Sequence, residues 1–408
     1  MNEVWITGVG CISALGRTFD CHRRAAAHAI GGITEVAFRE FFFSPDSDKP
    51  GGGKVFRQPC GMVPADLVGD LEQTAPDRAT QLLRSALQEA TGMADIKPGT
   101  KADMILGTTL GNMHGSSRYY HDYTMGKQPD KGLISQAILH SPSKAVARQA
   151  GIEGRVVTIS SACASSAIAL GRACHHIRSG RSQLVITGGF DALSPFVIAG
   201  FRSLRLISDE ACRPFDRQRT GLTPGEAAAV LVMESPQSAR RRGVKPIAAM
   251  AGFGEALEAY HHTRAHPEGT GLASAMNQAL REASCGPDQI SVVHLHGTAT
   301  RANDISEYMA CRSVFGTHLA TLPVCSTKSM TGHTFGAAGA LSAVFCLSTI
   351  LDTVVPATLF LNECDPEFEK LAVSCHPRKV TNVNRVLMTA LGFGGEAASC
   401  IFRGVDNE

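Results

Sequence analysis

Cys163 is the first residue whose surroundings suit covalent chemistry. It lies in segment 160–167, where the small residues Ser-Ser-Ala-Cys-Ala-Ser-Ser-Ala separate an apolar run from an Ala-rich one. The pattern predicts a strand that leads into a tight turn and a helix that leaves it. Free N–H groups at a helix N-terminus favour an anion, so they lower the pKa of a thiol and can hold an oxyanion. A nucleophile is therefore expected at Cys163, and a buried structural cysteine is the alternative.

Two histidines mark the end of a predicted strand in segment 293–300, Val-His-Leu-His-Gly-Thr-Ala-Thr. The carboxyl ends of strands are where α/β sheets place their sites. His294 and His296 are two residues apart, so in a strand they point to the same face. A metal site would need further ligands, and because no carboxylate or cysteine is suitably spaced we expect none. A strand-end histidine without a function is the alternative.

A lysine and a histidine precede the most apolar helical segment of the chain. Lys328 and His333 lie in segment 328–339, Lys-Ser-Met-Thr-Gly-His-Thr-Phe-Gly-Ala-Ala-Gly. Burial of a lysine requires a carboxylate partner. Asp304 and Glu307 follow the histidine motif and can supply it. A solvated lysine beside a helix-capping histidine is the alternative.

A glycine-rich loop occurs near the C-terminus. Phe393 is flanked by glycines in segment 392–395, Gly-Phe-Gly-Gly. Such a loop can move or can present its backbone N–H groups to a ligand. A tight turn into the last strand has the same composition, so this motif decides nothing by itself.

The elements that must position these groups are short apolar strands with helices between them. The candidate strands have few alternating polar positions, which is typical of a sheet covered on both faces. They lie at 4–8, 104–107, 156–159, 184–188, 230–233 and 386–388. Because helical segments separate them, we expect the α/β class.

The two halves of the chain repeat one another. Apolar residues in segments 79–90 and 272–283 share the helical spacing i, i+3, i+4, i+7, i+8, i+11, and a strand and a Gly-Thr pair follow each segment. Further along, each half opens an apolar, Ala-rich helix, at 165–177 and at 336–351. Helices that are apolar on most sides are central, so we expect a duplicated fold.

The seam between the repeats is expected near the basic stretch at 240–243. It divides the chain into residues 1–245, which carry the cysteine motif, and residues 246–408, which carry the histidine, lysine and glycine-loop motifs. Because the candidate groups come from both units, they can meet only where the units meet.

Composition narrows the function classes. The 39 basic and 37 acidic residues give a net charge of +2, which leaves no global electrostatic argument for nucleic acid binding. The N-terminus lacks the pattern of a secretory signal, and the apolar stretch at 336–351 is too short for an expected membrane span. The 13 cysteines include no Cys-x-x-Cys, which argues against a disulfide framework or a zinc site and favours a reducing cytoplasm.

In this order and spacing, the four motifs resemble those of the β-ketoacyl-[acyl carrier protein] synthases of the thiolase superfamily, above all the elongating type II enzymes. The resemblance covers essentially the whole chain, from segment 7–10 to segment 392–395. It implies an α/β thiolase-like fold, with two related halves in a five-layered αβαβα arrangement. It also implies a dimer, either of identical chains or with a paralogue.

The resemblance implies roles for the motif residues. Cys163 matches the acyl-accepting nucleophile, and His296 and His333 match the catalytic histidines. Lys328 matches the lysine that organises the site, with Glu307 as its ion-pair partner.

Further residues are assigned by the same resemblance. Phe393 matches the gating aromatic, whose backbone N–H joins that of Cys163 in an oxyanion hole. Thr298 and Thr300 match residues that contact the phosphopantetheine arm. Three more residues are assigned to substrate binding: Gly392, Gly394 and Asp304.

The implied reaction is a decarboxylative Claisen condensation of an acyl group held on Cys163 with malonyl-carrier protein. It needs no metal or redox cofactor, because phosphopantetheine arrives on the carrier protein. An acidic carrier protein implies a cationic landing site, for which Arg213 is the first candidate and Lys127 and Lys131 are further ones. Solvated surface charges without a partner are the alternative.

The chain departs from the family pattern in both loops that would gate the site. Glu396-Ala397 replaces Thr-Asn, Leu391 replaces an aromatic, Thr220-Gly221-Leu222 replaces Asp-Gly-Phe and Glu258 replaces Asp. These changes predict a specialised fatty acid or polyketide synthase with its own acyl substrate.

Two other interpretations share the fold. A non-catalytic chain-length factor is disfavoured because Cys163 and both histidines are retained. A non-decarboxylating acyltransferase is disfavoured by the motif at 328–333.

Overall fold

The structure is a computed structural model that describes residues 3–39, 55–72, 77–369 and 371–405. The strands in this part of the chain are β1 (Trp5–Ser13), β2 (Thr34–Arg39), β3 (Val55–Cys60), β4 (Asp103–Gly107), β5 (Val156–Ile159), β6 (Leu184–Asp191), β7 (Ala227–Glu234), β8 (Ala248–Leu257), β9 (Val292–His294), β10 (Val324–Cys325), β11 (Val354–Val355), β12 (Arg378–Lys379), β13 (Arg385–Leu391) and β14 (Glu396–Arg403). The helices are α1 (Phe19–His28), α2 (Ala65–Glu72), α3 (Arg78–Met93), α4 (Met113–Thr124), α5 (Lys131–Gln136), α6 (Ser141–Gln149), α7 (Ser165–Arg178), α8 (Pro195–Ser203), α9 (Pro236–Arg242), α10 (Thr270–Glu282), α11 (Arg301–Phe315), α12 (Lys328–Thr331) and α13 (Ala338–Asp352).

Ten strands form one hydrogen-bonded sheet in the order β10-β9-β13-β14-β8-β1-β7-β6-β4-β5. Only two residue pairs join β1 to β8, Trp5 with Ala249 and Ile6 with Ala248, so the sheet divides into two halves of five strands. If the strands of each half are numbered along the chain, both halves have the order 3-2-4-5-1. The predicted duplication is therefore present in the strand order. The boundary predicted between residues 245 and 246 falls in the segment that links α9 to β8.

Helices cover both faces of each half, as the continuous apolar strands require. Helix α3 packs on β1 and β7 from one outer side, and α10 packs on β8 and β14 from the other. Helices α7 and α13 pack against each other and against strands of both halves, which places them in a central layer. The five layers are therefore helix, sheet, helix, sheet and helix, and the α/β thiolase-like prediction is confirmed.

Helix α3 shows why the sequence folds this way locally. Its N-cap Asp77 accepts a hydrogen bond from the backbone N–H of Thr80 (2.7 Å), which satisfies one free donor of the first turn. The apolar face predicted from the spacing is buried, with Leu82, Leu83 and Ala86 all at zero exposure. Full burial of a leucine side chain contributes about 1.5–3 kcal/mol.

Helix α13 is the core of the molecule. Among the described residues, Phe335–Asp352 is an 18-residue helical segment long and apolar enough to cross a membrane, but 83% of it is buried inside the fold. The prediction of a central, buried helix at 336–351 is confirmed, whereas its length was underestimated, because the helical segment extends one residue beyond each end of that stretch. Burial identifies it as a core helix, since core helices of this kind pass the same length test.

Candidate active site

Cys163 lies in the turn between β5 and α7. Ala162 adopts a left-handed φ of 45°, and α7 begins two residues after the cysteine, at Ser165. The Ser165 hydroxyl accepts a hydrogen bond from the N–H of Ser161 (2.8 Å) and donates one to the carbonyl of Ala162 (2.6 Å). These bonds close the turn and hold a thiol that is only 6% exposed at the N-terminal end of α7.

His333 reaches this thiol from the other half of the fold. Its Nε2 atom lies 3.1 Å from Cys163 Sγ. The backbone N–H of Phe335 donates to His333 Nδ1 (3.3 Å). A neutral imidazole carries one proton, so this hydrogen-bond pattern assigns it to Nε2. The side chain therefore points an N–H group into the site.

His296 is oriented in the same sense by Lys328. The ammonium nitrogen lies 3.2 Å from His296 Nδ1 and also donates to the carbonyl oxygen of His296. Because an ammonium group only donates, Nδ1 must accept and Nε2 must carry the proton. The rings of His296 and His333 lie edge to face, with centroids 5.2 Å apart. The two histidines together supply a pair of N–H donors.

Glu307 supports His296 rather than Lys328. Its carboxylate accepts hydrogen bonds from the backbone N–H groups of His296 (2.7 Å) and Gly297 (2.6 Å) and from the hydroxyl of Thr389 (2.6 Å). In the described part of the chain Lys328 forms no direct ion pair with Glu307, so that prediction was wrong. With the side-chain amide of Asn303 (3.0 Å), four donors hold the carboxylate against the backbone after β9, and it acts on the ammonium only through space.

Asp304 also has a different place from the one predicted. It is fully buried and does not line the site. Its carboxylate accepts from the N–H of Phe215 (3.0 Å) and of Ala299 (3.2 Å), and it lies 3.6 Å from Arg219. The prediction that it binds substrate or pairs directly with the lysine was wrong, because these contacts hold it behind the site.

Burial sets the charge state of the site. It raises the pKa of the Cys163 thiol to about 12, although the nearby charge of Lys328 works in the opposite direction. Desolvation therefore acts against the lowering of this pKa that was expected from the helix N-terminus. Burial, followed by the charge of Lys328, lowers the pKa of His296 and of His333 well below the usual value. At neutral pH the site therefore holds a thiol and two neutral imidazoles.

Lys328 remains largely charged at neutral pH. Burial lowers its pKa to about 8, and the negative charge of Glu307 is the largest influence in the opposite direction. The ammonium is therefore the charged group that fixes the orientation of His296.

A cavity of about 510 Å³ leads to these groups. Cys163, His296 and His333 lie on its wall, together with Thr298 and Thr300. The two threonine hydroxyls lie 2.9 Å apart and are hydrogen-bonded to each other. The cavity therefore presents a nucleophile, two N–H donors and two hydroxyl groups to one ligand.

The glycine-rich loop closes one side of this cavity. Gly392, Phe393 and Gly394 line it, and a Cβ at Gly392 would lie 3.0 Å from the carbonyl oxygen of Ser161. The Phe393 ring stacks on Phe201, with centroids 5.6 Å apart. The structure thus brings the loop directly against the turn that carries the nucleophile.

A second loop contacts the first. The N–H of Gly394 donates to the carbonyl of His262 (2.8 Å), and the N–H of Glu258 donates to the carbonyl of Gly395 (2.7 Å). Two hydrogen bonds therefore couple the glycine-rich loop to the segment that begins at Glu258, so a movement of one loop must involve the other.

The sequence departures divide into two groups. Leu222, Leu391 and Glu258 line the cavity, so they can influence which ligand fits. Glu396 and Ala397 begin β14, where Ala397 is fully buried and pairs with Ala256. This second pair does not line the cavity and contributes to the sheet instead.

Four arginines that the sequence analysis did not single out line the cavity: Arg205, Arg219, Arg264 and Arg301. Arg301 directly follows the His-Gly-Thr-x-Thr motif, and that position was the available signal. Arg213 lies outside the cavity lining and pairs with Glu210. Lys127 and Lys131 also lie outside it, so their contact with a carrier protein stays a prediction without structural support.

His294 does not join the site. It is buried, its Nε2 lies 3.1 Å from the Thr327 hydroxyl, and its ring stacks on Phe345. Strand β9 ends at His294, so the backbone turns before His296 and the two side chains diverge. Among the described residues no group of three or more His, Cys, Asp or Glu side chains could hold a metal ion.

Comparison with known proteins places this geometry in a family. The family model for the beta-ketoacyl synthase N-terminal domain matches residues 1–239, and the model for the beta-ketoacyl synthase C-terminal domain matches residues 247–362. The chain is 31% identical to the 3-oxoacyl-[acyl-carrier-protein] synthase 2 of Staphylococcus aureus (strain COL), over 98% of each chain. It is 30% identical to the Synechocystis sp. (strain ATCC 27184 / PCC 6803 / Kazusa) protein of the same name, also over 98% of each.

Solved structures give the same result. The ishigamide ketosynthase/chain length factor matches with a TM-score of 0.89 at 28% identity, over 99% of this chain and 100% of that one. A beta-ketoacyl synthase from Burkholderia phymatum STM815 matches with a TM-score of 0.83 at 29% identity, over 100% of both chains. A chain of the complex between a ketosynthase and its chain length factor from Xenorhabdus doucetiae matches with a TM-score of 0.86 at 28% identity, over 99% of this chain and 98% of that one. The chain belongs to the β-ketoacyl synthase family.

Proposed function

We propose that the protein catalyses the decarboxylative condensation of an acyl group with malonyl-carrier protein to give a 3-oxoacyl-carrier protein. One observation carries this proposal. A cysteine and two histidines share one cavity, and hydrogen bonds to both Nδ1 atoms leave both Nε2–H groups as donors. A nucleophile beside a pair of fixed N–H donors suits a reaction that forms a thioester and then an enolate.

In the first half-reaction the acyl chain moves to Cys163. The sulfur forms a bond to the thioester carbonyl carbon, and the bond from that carbon to the phosphopantetheine sulfur breaks. The proton of the Cys163 thiol passes to the departing phosphopantetheine thiol. The N–H groups of Cys163 and Phe393 are proposed to hold the tetrahedral oxyanion, because the glycine-rich loop packs on the nucleophile turn.

In the second half-reaction malonyl-carrier protein loses CO₂. The electrons of the breaking carbon–carbon bond form an enolate, whose oxygen accepts hydrogen bonds from His296 and His333. The enolate carbon attacks the acyl carbonyl, the carbon–sulfur bond to Cys163 breaks, and a proton from solvent restores the thiol. We propose no metal or redox cofactor, because this electron balance requires neither, and phosphopantetheine enters on the carrier protein.

Assay of the purified protein tests the proposal. Acyl-carrier proteins of matched chain length, saturated and modified, are each incubated with malonyl-carrier protein, and CO₂ and 3-oxoacyl product are measured. We expect stoichiometric CO₂ and product, with a preference for modified acyl groups because Leu222 and Leu391 reshape the cavity wall. Absence of CO₂ release with every substrate would exclude the proposed reaction, and equal rates would exclude a specialised acyl substrate.

The carrier protein is proposed to dock over the cavity mouth. Arg205, Arg264 and Arg301 are exposed, line the cavity and have no ion pair in the described part of the chain. Glu258 is the only acidic residue among the described residues that line it. A positive mouth would attract the phosphodiester of the phosphopantetheine arm and an acidic carrier surface.

Charge reversal at the mouth tests this docking site. We expect the double variant Arg264→Glu, Arg301→Glu to raise KM for malonyl-carrier protein about tenfold or more at low salt, because steering is lost. The rate with a small N-acetylcysteamine thioester should change little. The double variant Arg241→Glu, Lys245→Glu is the matched control, since both residues are exposed cations that lie outside the cavity lining. An unchanged KM for the carrier substrate in the double variant would remove the proposal.

A second copy of the chain is proposed to pair along β5. This strand is the edge of the sheet, and apolar side chains are exposed beside it on β5 and in the segment from α4 to α6: Tyr120, Tyr123, Ile138, Leu139 and Val157. An open edge with an apolar surround favours pairing. Light scattering should give a mass twice that of one chain. In the Ile138→Asp variant the measured mass should fall to that of a single chain. If the wild-type protein is monomeric by itself and forms a dimer only when a paralogue is added, the homodimer proposal is wrong and the assembly is a heterodimer.

The compartment is proposed to be the reducing cytoplasm. All 13 cysteines are unpaired, including Cys346 and Cys400, which are fully buried. Oxidising compartments favour disulfides in proteins that contain many cysteines. Recovery of the protein in the cytoplasmic fraction of its host would check this assignment.

A further inference from the structure

A buried carboxylate lies behind the nucleophile, at the end of β6. Asp191 has zero exposure and forms no ion pair in the described part of the chain. Four donors converge on it: the hydroxyl of Thr108 (2.5 Å) and the backbone N–H groups of Thr109 (3.0 Å), Leu110 (2.9 Å) and Gly336 (2.6 Å). Burial of a carboxylate is costly unless hydrogen-bond donors surround it, and these four donors offset that cost. They also tie Asp191 to the backbone of two different segments.

One set of these bonds leads to the nucleophile. The carboxylate holds the loop after β4, in which Thr109 lies. The Thr109 hydroxyl donates to the carbonyl oxygen of Ala162 (2.8 Å), the residue that takes the left-handed conformation just before Cys163. Asp191 is therefore two hydrogen bonds away from the backbone that sets the direction of the thiol.

The other bond leads to the histidine. Gly336 belongs to the 3-10 turn that opens α13, and the N–H of its neighbour Phe335 holds His333 Nδ1. A Cβ at Gly336 would lie 2.7 Å from Asp191 Oδ2, so only glycine allows the backbone to approach the carboxylate this closely. The same carboxylate thus fixes the 3-10 turn whose Phe335 N–H orients His333.

The negative charge of Asp191 also affects the Cys163 thiol electrostatically. Asp191 raises the pKa of Cys163, whereas Lys328 lowers it. Burial raises the pKa of Asp191 itself to about 6, so the carboxylate is charged at and above neutral pH. The other titratable groups around the thiol are His333 and His296, which are neutral in this range.

We propose that Asp191 is a positioning residue that sets the separation of Cys163 Sγ and His333 Nε2. One carboxylate does this by holding a loop of the first half and a turn of the second half at the same point. The turnover part of this inference rests on the proposed function, whereas the alkylation part below requires only the structure of the site.

Asp191→Asn tests the proposal, because the amide keeps the size of the side chain but replaces one acceptor oxygen with an N–H₂ donor, and each of the two oxygens accepts at least one backbone N–H. We expect kcat for condensation to fall about 100-fold, the cost of a displacement on the order of 1 Å in a reacting pair. KM for the carrier substrate should change little. Loss of the negative charge should increase the rate of alkylation of Cys163 by iodoacetamide at a fixed pH near 8, because Asp191 raises the pKa of the thiol.

The experiment contains two controls. Peptide mapping must find Cys174, which is buried in the same helix α7, still protected, so that unfolding does not account for faster alkylation. Glu234→Gln removes another buried carboxylate at the far end of the β6–β7 pair, about 23 Å along the strands, and should leave the alkylation profile unchanged.

Two outcomes would overturn the proposal. The first is a folded Asp191→Asn variant with wild-type kcat. The second is an alkylation profile of Cys163 that the substitution does not move. If this variant does not fold, Thr109→Val takes its place, because it removes only the bond to Ala162 and should lower kcat by a smaller factor. A folded Thr109→Val variant with wild-type kcat would likewise exclude the proposal.

Discussion

Cys163→Ala should abolish condensation and leave the decarboxylation of malonyl-carrier protein in place. The substitution removes the sulfur that accepts the acyl chain, so we expect product formation to fall by about 10⁴-fold or more. The two N–H donors do not depend on the sulfur, because Lys328 orients His296 and the N–H of Phe335 orients His333. CO₂ should therefore form without a 3-oxoacyl product. Intact mass after incubation with acyl-carrier protein should show an acyl adduct only in the wild type.

Cys174→Ala is the matched control for this experiment. Cys174 is fully buried in α7, the helix that follows the nucleophile, and does not line the cavity. This variant should lose some stability but keep acylation, product formation and CO₂ release. An acyl adduct that persists in Cys163→Ala would show that another group is the nucleophile. Loss of CO₂ release in the same variant would show that the histidines cannot stabilise the enolate alone.

His333→Ala and His296→Ala should each slow the decarboxylation of malonyl-carrier protein. Each substitution removes one of two fixed donors for the enolate oxygen, and removal of one such donor costs about 10²- to 10³-fold in rate. His333→Gln should recover part of this loss, since its amide nitrogen reaches roughly as far as Nε2. CO₂ release at saturating substrate is the measurement.

The control for the histidine variants is His22→Gln. His22 is fully buried, and its ring contacts Ser13 and the carbonyl of Thr18 rather than the cavity. Its substitution should leave the rate of CO₂ release close to that of the wild type in the folded protein. If His333→Ala and His296→Ala also decarboxylate at the wild-type rate, the assignment of the two donors is wrong.

The sequence by itself was sufficient for the fold class and for the central groups of the site. Apolar strands without alternation indicate a sheet covered on both faces, and the shared spacing in α3 and α10 indicates duplication. Cys163, His296, His333 and Lys328 were found because each lies in a short motif at the end of a strand or the start of a helix. Local sequence determines such positions, since strand ends and helix starts have residue preferences of their own.

Only the tertiary structure decided the partners of these groups. Glu307 was expected to pair with Lys328, but it holds the backbone of His296, and the lysine donates to the imidazole instead. The pKa of Cys163 was expected to be low from its place at a helix N-terminus, but burial raises it. The first expectation chose a partner for a buried lysine from motif positions in the sequence, and the second treated the cysteine turn as if it were solvated.

The remaining residues could not be found locally because they act at a distance along the chain. Asp191 meets Gly336 across 145 residues, and Arg264 and Arg301 reach the cavity from different segments. The only sequence signal for Asp191 was its position as a carboxylate at the end of a buried strand, in the Gly-Gly-Phe-Asp segment at 188–191. Hydrogen-bond partners and desolvation depend on which segments the fold brings together, whereas a motif reports only its own neighbours in sequence.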